Sequence, residues 1–361
     1  NGTWTIANGV ARCTSGSVVF LQSPLLQAGK AYVAEFEIKN RIGGTARLYN
    51  DGANAYILNA TGNGIYTVWF TATSPTLKFV GYATDNFDLD NVYVREADYD
   101  RSVNNKGLVV NGTITRTPVD TGSELVGYSG FSASNYLEQP YNSALDFGTG
   151  DFSVMGWLKM NNTSADNTII YMGPVATTAV PANGINFWMF NGIPKFRIAG
   201  GAITAETLTE ATINQWLFFT ATRKNGVVDW YVNGVNRRTT TTTTIAAAIG
   251  DPSYVTRIGS GHYTGDNNNL ALLRISATAP SAEQVAKIYR DEKVLFQENA
   301  ACTLYGTSDA VTALSHDPVT DLLHVGTSAG RSVFQGLRRV SNTTVAVGTA
   351  ISASNGLVVE E

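Results

Sequence analysis

Residues Ile213–Val235 read INQWLFFTATRKNGVVDWYVNGV, and this stretch decides the fold. It reads as two β-strands joined by a tight turn at Asn225-Gly226, with a second turn signal at Asn233-Gly234. Asn-Gly between apolar runs is a strong hairpin signal, because both central residues of a type I′ turn need positive φ. The strands carry Trp216, Phe218 and Phe219, then Val228, Trp230, Tyr231 and Val232. A two-stranded hairpin this apolar has to lie on a second sheet. Its alternation makes the aromatics scaffold, and places any binding on the loops at the sandwich rim.

The rest of the chain repeats the theme. In residues 1–97, Tyr32, Ala34, Phe36 and Ile38 fall on one strand face and Val33, Glu35, Glu37 and Lys39 on the other. Tyr66, Val68 and Phe70 share a face opposite Thr67, Trp69 and Thr71. Turns are marked by Gly43-Gly44, Asp51-Gly52 and Gly62-Asn63-Gly64, the spacing of an antiparallel sandwich. Residues 98–120 are polar, with short apolar pairs and no helical period, and read as a linker that becomes the first strand of the next domain. Within 121–297, Asp146–Met160, Gly184–Gly201 (turn near Asn191-Gly192) and Leu270–Ser276 read as further strands. Residues 281–293 form the one convincing helix, with Pro280 before it, Ser281 and Gln284 as a capping box, and Val285, Ile288 and Tyr289 at helical spacing. The expected fold class is therefore all-β: two β-sandwich, jelly-roll domains in tandem plus a short C-terminal β segment over 298–361.

Composition agrees. The chain has 361 residues, 43% hydrophobic and only 15% charged, with 35 glycines, which suits turn-rich β structure and opposes disorder. A net charge of −4 leaves no basic footprint for nucleic acid. No apolar run reaches the roughly 18 residues that a membrane helix needs, and no signal peptide is read at the start. The opening Asn1-Gly2-Thr3, without Met, reads as a piece or processed product of a longer protein. Cys13 and Cys302 fall in different predicted domains and suggest neither a disulfide framework nor a metal knuckle. The Asn-x-Thr/Ser triplets at Asn59, Asn111, Asn162 and Asn342 are expected by chance in a chain so rich in Asn and Thr.

Two segments resemble known families. The Gly-Thr-Trp opening, then LQSPLLQAGKAYVAEFEIKN, GIYTVWFTATSPTLKFVGY and FDLDNVYVREA, resemble in order the galactose-binding-like jelly rolls of carbohydrate-binding modules. This implies a jelly roll over 1–97, with a structural Ca2+ and sugar-binding aromatics. Trp157, Trp216, Tyr231-Val232-Asn233-Gly234 and Ser281-Ala282-Glu283-Gln284 occur in the order of the laminin-G-like branch of the concanavalin A-like superfamily, over 121–297. One departure is Ala271-Leu272, where that family often carries an acidic pair. The stretch Val311–Val340 resembles a single β-propeller blade. One blade cannot bury both faces, so either more repeats follow Glu361 or three copies pack together in an oligomer.

Catalysis is not expected. Lectin-fold glycosidases place paired carboxylates on one strand. Here Glu35 and Glu37, beside Lys39, read as a solvated charged face. His262, His316 and His324 form neither a triad nor a zinc site. The binding candidates are Trp69, which suits sugar stacking, packing against a neighbouring domain, or ordinary cover, with Tyr49 and Tyr82 on the same logic. In the rim loop Gly259–Asn269, His262, Tyr263, Asp266 and Asn267 could meet sugar hydroxyls, and the Asp and Asn oxygens could meet calcium, although a merely solvated loop would look the same. No cofactor is certain and the metal is unknown. Trp188 and Phe190 share a strand face and read as core. The run Thr239–Thr244 reads as strand or exposed loop.

The domain arrangement and Thr/Asn/Gly-rich composition resemble a bacteriophage virion or tail-fibre protein. That resemblance implies a non-catalytic, extracellular homotrimer on the virion tail, contacting host-surface glycan and other virion proteins. The alternatives are a carbohydrate-binding accessory portion of a secreted bacterial glycoside hydrolase and a purely structural virion protein.

Overall fold

Period-two alternation becomes strand in most of the described residues of the computed structural model. It describes residues 4–14, 19–50, 56–82, 84–98, 107–161, 167–174, 183–190, 193–198, 201–204, 213–241, 248–261, 268–306, 310–345, 351–354 and 357–360. The first strands are β1 (Trp4–Ala7), β2 (Val10–Cys13), β3 (Val19–Pro24), β4 (Ala31–Gly43), β5 (Ala46–Asn50), β6 (Leu58–Ala60), β7 (Gly64–Thr71), β8 (Thr76–Gly81), β9 (Asn86–Asp98) and β10 (Leu108–Asn111). Then come β11 (Thr115–Pro118), β12 (Val126–Ser129), β13 (Tyr136–Gln139), β14 (Phe152–Met160), β15 (Asn167–Gly173), β16 (Ile185–Phe190), β17 (Ile193–Ile198) and β18 (Gly201–Thr204). After them follow β19 (Trp216–Lys224), β20 (Val227–Val232), β21 (Val235–Thr240), β22 (Val255–Ile258), β23 (Asn268–Ser276) and helix α1 (Ala282–Lys293). The chain closes with β24 (Val311–Asp317), β25 (Leu322–Thr327), β26 (Gly330–Gln335), β27 (Arg338–Thr343), β28 (Ile351–Ser354) and β29 (Leu357–Glu360). The all-β expectation holds, with two compact units.

Unit 1 comprises Asn1–Thr113, Asn135–Tyr141 and Val255–Arg257. In one of its layers β4 pairs with β7 and β9, β9 with β2 and β10, and β10 with β13. The second layer runs β3-β8-β5-β6. Tyr32, Ala34, Phe36 and Ile38 of β4 are all buried, as their alternation requires, and meet Leu48, Leu77 and Phe79 of the second layer. Phe36 sets its ring edge-on to Phe79 at 4.9 Å. On the opposite face, the Lys39 ammonium sits 2.9 Å from both Glu37 and Asp90, and Asn91 donates to Glu37. That is the charged face expected there.

Cys13 is fully buried in this core. Burial pushes its thiol up to about 11, with Asp85 adding to the rise. The thiolate is the reactive form, so a thiol reagent at pH 8 should label only the exposed Cys302 in the folded protein. A second equivalent should react on addition of denaturant. Two fast equivalents in native buffer would contradict this burial.

Unit 2 comprises Ile114–Ser134, Asn142–Tyr254 and Ile258–Glu361. Both hairpin turns form with positive φ, 51° and 76° at Asn225-Gly226 and 49° and 78° at Asn233-Gly234. They join β19, β20 and β21 in the sheet β11-β12-β23-β14-β19-β20-β21. The run β15-β16-β17-β18, the end of a longer sheet, lies over one face, where Phe187 meets Phe219 at 4.7 Å and Trp230 at 5.1 Å. The other face carries Met155, Trp157, Phe218 and Tyr231. Helix α1 covers it through Val285, Ile288 and Tyr289. The hairpin is aromatic on both faces because the β19–β20 layer is sandwiched between a sheet and a helix. The capping box is present, with Gln284 N donating to Ser281 Oγ (3.2 Å) and Ser281 N to Gln284 Oε1 (2.8 Å). Gly234 is needed for closeness as well as for its φ, since a Cβ there would lie 3.0 Å from Ala286 Cα. Trp188 is buried, as expected, whereas Phe190, read as core with it, is exposed at the end of β16 where the strand runs out of the sheet's cover. Thr239 and Thr240 lie in β21, and 242–247 fall outside the described residues.

The C-terminal segment forms the antiparallel meander β24-β25-β26-β27. One of its faces is packed: Val325 and Phe334 meet Ala301, Leu304 and Leu323. The preceding chain ties the meander to the rest of unit 2, since Glu124 accepts from Cys302 N (2.8 Å), Thr303 N (3.0 Å), Thr303 Oγ1 and Arg339 Nη2 (3.0 Å). Burial raises the Glu124 pKa, yet these donors outweigh it and hold the carboxyl below its ordinary 4.5. A carboxylate depressed in the folded state contributes stability above its unfolded pKa and loses it as pH falls through the folded value. Stability should therefore decline below about pH 4.5, and Glu124→Gln should flatten that decline. Identical acid-unfolding curves for the two proteins would refute the tie.

Candidate functional site

Alternation along β5 turns Ala46, Leu48 and Asn50 into the core and leaves Arg47 and Tyr49 on the outer face. Across the ladder, Arg47 stands opposite Val80 of β8 and Tyr49 opposite Lys78. Beyond β8 the chain turns over Tyr82–Asp85, closed by a 2.9 Å bond from Asp85 N to Tyr82 O. Asp85 is fully buried and ties this turn to the start of β5. Its carboxylate accepts from Tyr82 N (2.6 Å), Thr45 N (2.8 Å) and Arg47 Nη1 (2.7 Å). Gly44 makes room for it, since a Cβ there would fall 2.0 Å from Asp85 Oδ1.

Around that tie three phenols converge. The Arg47 guanidinium lies 4.5 Å from the centre of the Tyr82 ring and 6.0 Å from that of Tyr56. The Tyr56 and Tyr82 hydroxyls bond each other. That bond is the main cause pushing the Tyr56 phenol above its ordinary value, with burial adding to it. Tyr49 sets its ring edge-on to Tyr56 at 5.7 Å. Arg47, Tyr49, Tyr56 and Tyr82 are all half-buried. The result is a partly open aromatic surface with phenol hydroxyls and a guanidinium at its centre. Such a surface can stack on a flat apolar ligand face and hydrogen-bond its polar rim.

Tyr49 and Tyr82, singled out from the sequence, are thus brought together. Tyr56 and Arg47 belong to the same group and were not foreseen, although Arg47 is two residues from Tyr49 and alternation puts both on one face. Trp69 stands apart. It is half-buried on β7 and packs against Val33, Ala97 and Val109. A Cβ on Gly107 would meet its indole at 2.8 Å. His262, Tyr263, Asp266 and Asn267 lie outside the described residues. The flanking glycines are packing points: a Cβ at Gly259 would enter the Phe131 ring, and one at Gly261 would meet Tyr171.

Among the described residues no group of three or more His, Cys, Asp or Glu side chains could hold a metal ion. No helix among them is long and apolar enough to cross a membrane.

Comparison with known proteins bears on unit 2 first. Residues 131–286 match the model of the concanavalin A-like lectin/glucanases superfamily. The lectin-like fold read from the aromatic hairpin is therefore present in that part of the chain. No curated protein sequence matches the chain. Among solved structures, the binding domain of Paraclostridial Mosquitocidal Protein 1 is similar at 14% identity and a TM-score of 0.45, over 73% of this chain and 70% of that one. The binding domain of botulinum neurotoxin serotype D aligns at 15% identity and a TM-score of 0.42, over 73% and 66%. The serotype D ligand binding domain in complex with N-acetylneuraminic acid aligns at 14% and 0.42, over 66% of this chain and 58% of that one. The chain thus spans less than two thirds of the length of these two serotype D structures.

Proposed function

We propose that the chain is a non-catalytic, carbohydrate-binding protein of the virion or tail-fibre type, which holds a host-surface glycan, contributes to tail assembly, or does both. One observation carries the carbohydrate reading: the convergence of Tyr49, Tyr56 and Tyr82 on Arg47 at the outer face of unit 1. Tyrosines offer a sugar both an apolar face and a hydroxyl at little entropic cost. The match of residues 131–286 to a superfamily named for lectins as well as glucanases supports the same reading. The non-catalytic half is supported by the engagement of Glu37 with Lys39 and Asn91, which leaves the Glu35/Glu37 strand without a pair poised for glycoside hydrolysis. The tail setting, virion partners, extracellular location and homotrimer rest on the resemblance of the domain arrangement and composition.

Two measurements test this. On a glycan array the protein should bind a restricted set of sugars, and Tyr49→Ala, which leaves Asp85 and its bonds in place, should weaken that binding about tenfold or more. No signal from either protein at high concentration would remove the receptor half and favour a purely structural role. Solution mass tests assembly, and a monomer would remove the trimer.

A further inference from the structure

We propose that the tyrosine group selects a carboxylate-bearing sugar, a uronic or sialic acid residue, over its neutral counterpart. This deepens the carbohydrate reading and rests on it. Arg47 spends one nitrogen on the fold: Nη1 donates to the Thr45 carbonyl (2.8 Å) and to Asp85 (2.7 Å). Its Nε and Nη2 make no hydrogen bond among the described residues. A guanidinium has five donors in a planar fork that matches a carboxylate, so this arginine holds an unused donor edge. The side chain retains 20% of its exposure while Asp85 retains none.

The partner carboxylate does not cancel that edge. Each Asp85 oxygen also takes a backbone N–H, Oδ1 from Thr45 and Oδ2 from Tyr82. Its charge is thus held inside by three donors, whereas the guanidinium spans from that buried anion to the outer face. Lys78, opposite Tyr49, is a second cation among the described residues of this face. Lys78 keeps a contact of its own, so Arg47 is the group offered for direct pairing and Lys78 acts at longer range. Tyr82 and Tyr56 flank the guanidinium and fix its plane, which reduces the ordering cost of meeting a ligand. Tyr49, edge-on to Tyr56, is placed to take the sugar ring.

The test compares matched pairs by calorimetry: galacturonate oligomers against galactose oligomers, and sialyllactose against lactose. The acidic member of at least one pair should bind roughly tenfold or more tightly at low salt, the size expected of a charge-assisted hydrogen bond. Salt at 0.5 M should shrink that advantage, since half-exposed charges are screened. Which pair responds separates the uronic from the sialic source. Arg47→Gln should bring the acidic member down to the affinity of its neutral counterpart, and Tyr49→Ala should weaken acidic and neutral members alike. If Arg47→Gln does not fold, the salt dependence of the native protein decides. Equal affinities within both pairs at low salt would overturn the acidic preference and leave the carbohydrate reading standing. Absence of binding by all four sugars, with Tyr49→Ala indistinguishable from the native protein, would overturn both.

Discussion

Trp157→Ala should destabilise unit 2 by about 3–5 kcal/mol, the range for truncating a buried aromatic. Trp157 is 2% exposed and stands between sheet and helix. Its ring stacks on Phe296 at 4.1 Å and meets Phe218 at 5.3 Å and Tyr289 at 5.7 Å. Its Nε1 donates to Glu292 at 2.8 Å, and Glu292 takes Arg274 through both oxygens at 2.6 and 3.0 Å. Alanine would open a cavity under α1 and leave Glu292 with only its arginine. Trp157→Phe separates the two effects. It keeps most of the ring contact and loses the indole bond, so it should cost about 1–3 kcal/mol. Denaturant unfolding followed at 222 nm gives both values. A loss below about 1 kcal/mol for the alanine variant would mean that α1 is held by something other than this contact.

That keystone shows which parts of the fold were legible in the sequence. Phe218 and Tyr231 could be assigned to strands because Asn225-Gly226 and Asn233-Gly234 fix the turns by their positive φ, and Trp157 because its apolar run follows the turn at Gly148-Thr149-Gly150. The helix was legible because Ser281 and Gln284 cap each other locally. Which face of the hairpin met the helix was not legible. Both faces are apolar, and the choice depends on contacts such as Trp157 to Glu292, 135 residues apart. A bulge was hidden for the same reason. The β14–β23 register shifts between Met155 and Trp157, and Leu272 opposite it takes φ +49°, a conformation that nothing in Leu itself favours.

The candidate site divides along the same line. Alternation placed Tyr49 outward, but no local signal joined it to Tyr82, which lies beyond a different strand. Their meeting depends on Asp85 reaching 40 residues back to Thr45. Tyr56, next to the short edge strand β6, carries no local pattern that marks it. Trp69 was the most conspicuous outward aromatic, and its partners Ala97 and Val109 come from strands well downstream. An outward aromatic is a candidate only until the chain that follows has been placed over it.

Asp85→Ala should be the most damaging change in unit 1, costing about 3–5 kcal/mol. The carboxylate is 0% exposed and its arginine partner 20%, so truncation strands a poorly solvated cation together with two backbone N–H groups. Asp85→Asn keeps the shape and one acceptor oxygen but forfeits the ion pair, and should cost less. A double-mutant cycle with Arg47→Ala gives the diagnosis. If the ion pair is the main term, Asp85→Ala should be milder by about 1–3 kcal/mol when Arg47 is already absent. If the cost is unchanged, the backbone bonds to Thr45 and Tyr82 dominate and the arginine is held only incidentally. Tyr82 would then lose its place while Arg47 kept its own, and sugar binding should fall even at temperatures where Asp85→Asn remains folded. Either result shows whether the residue that shapes the aromatic surface is also the one that holds the fold beneath it.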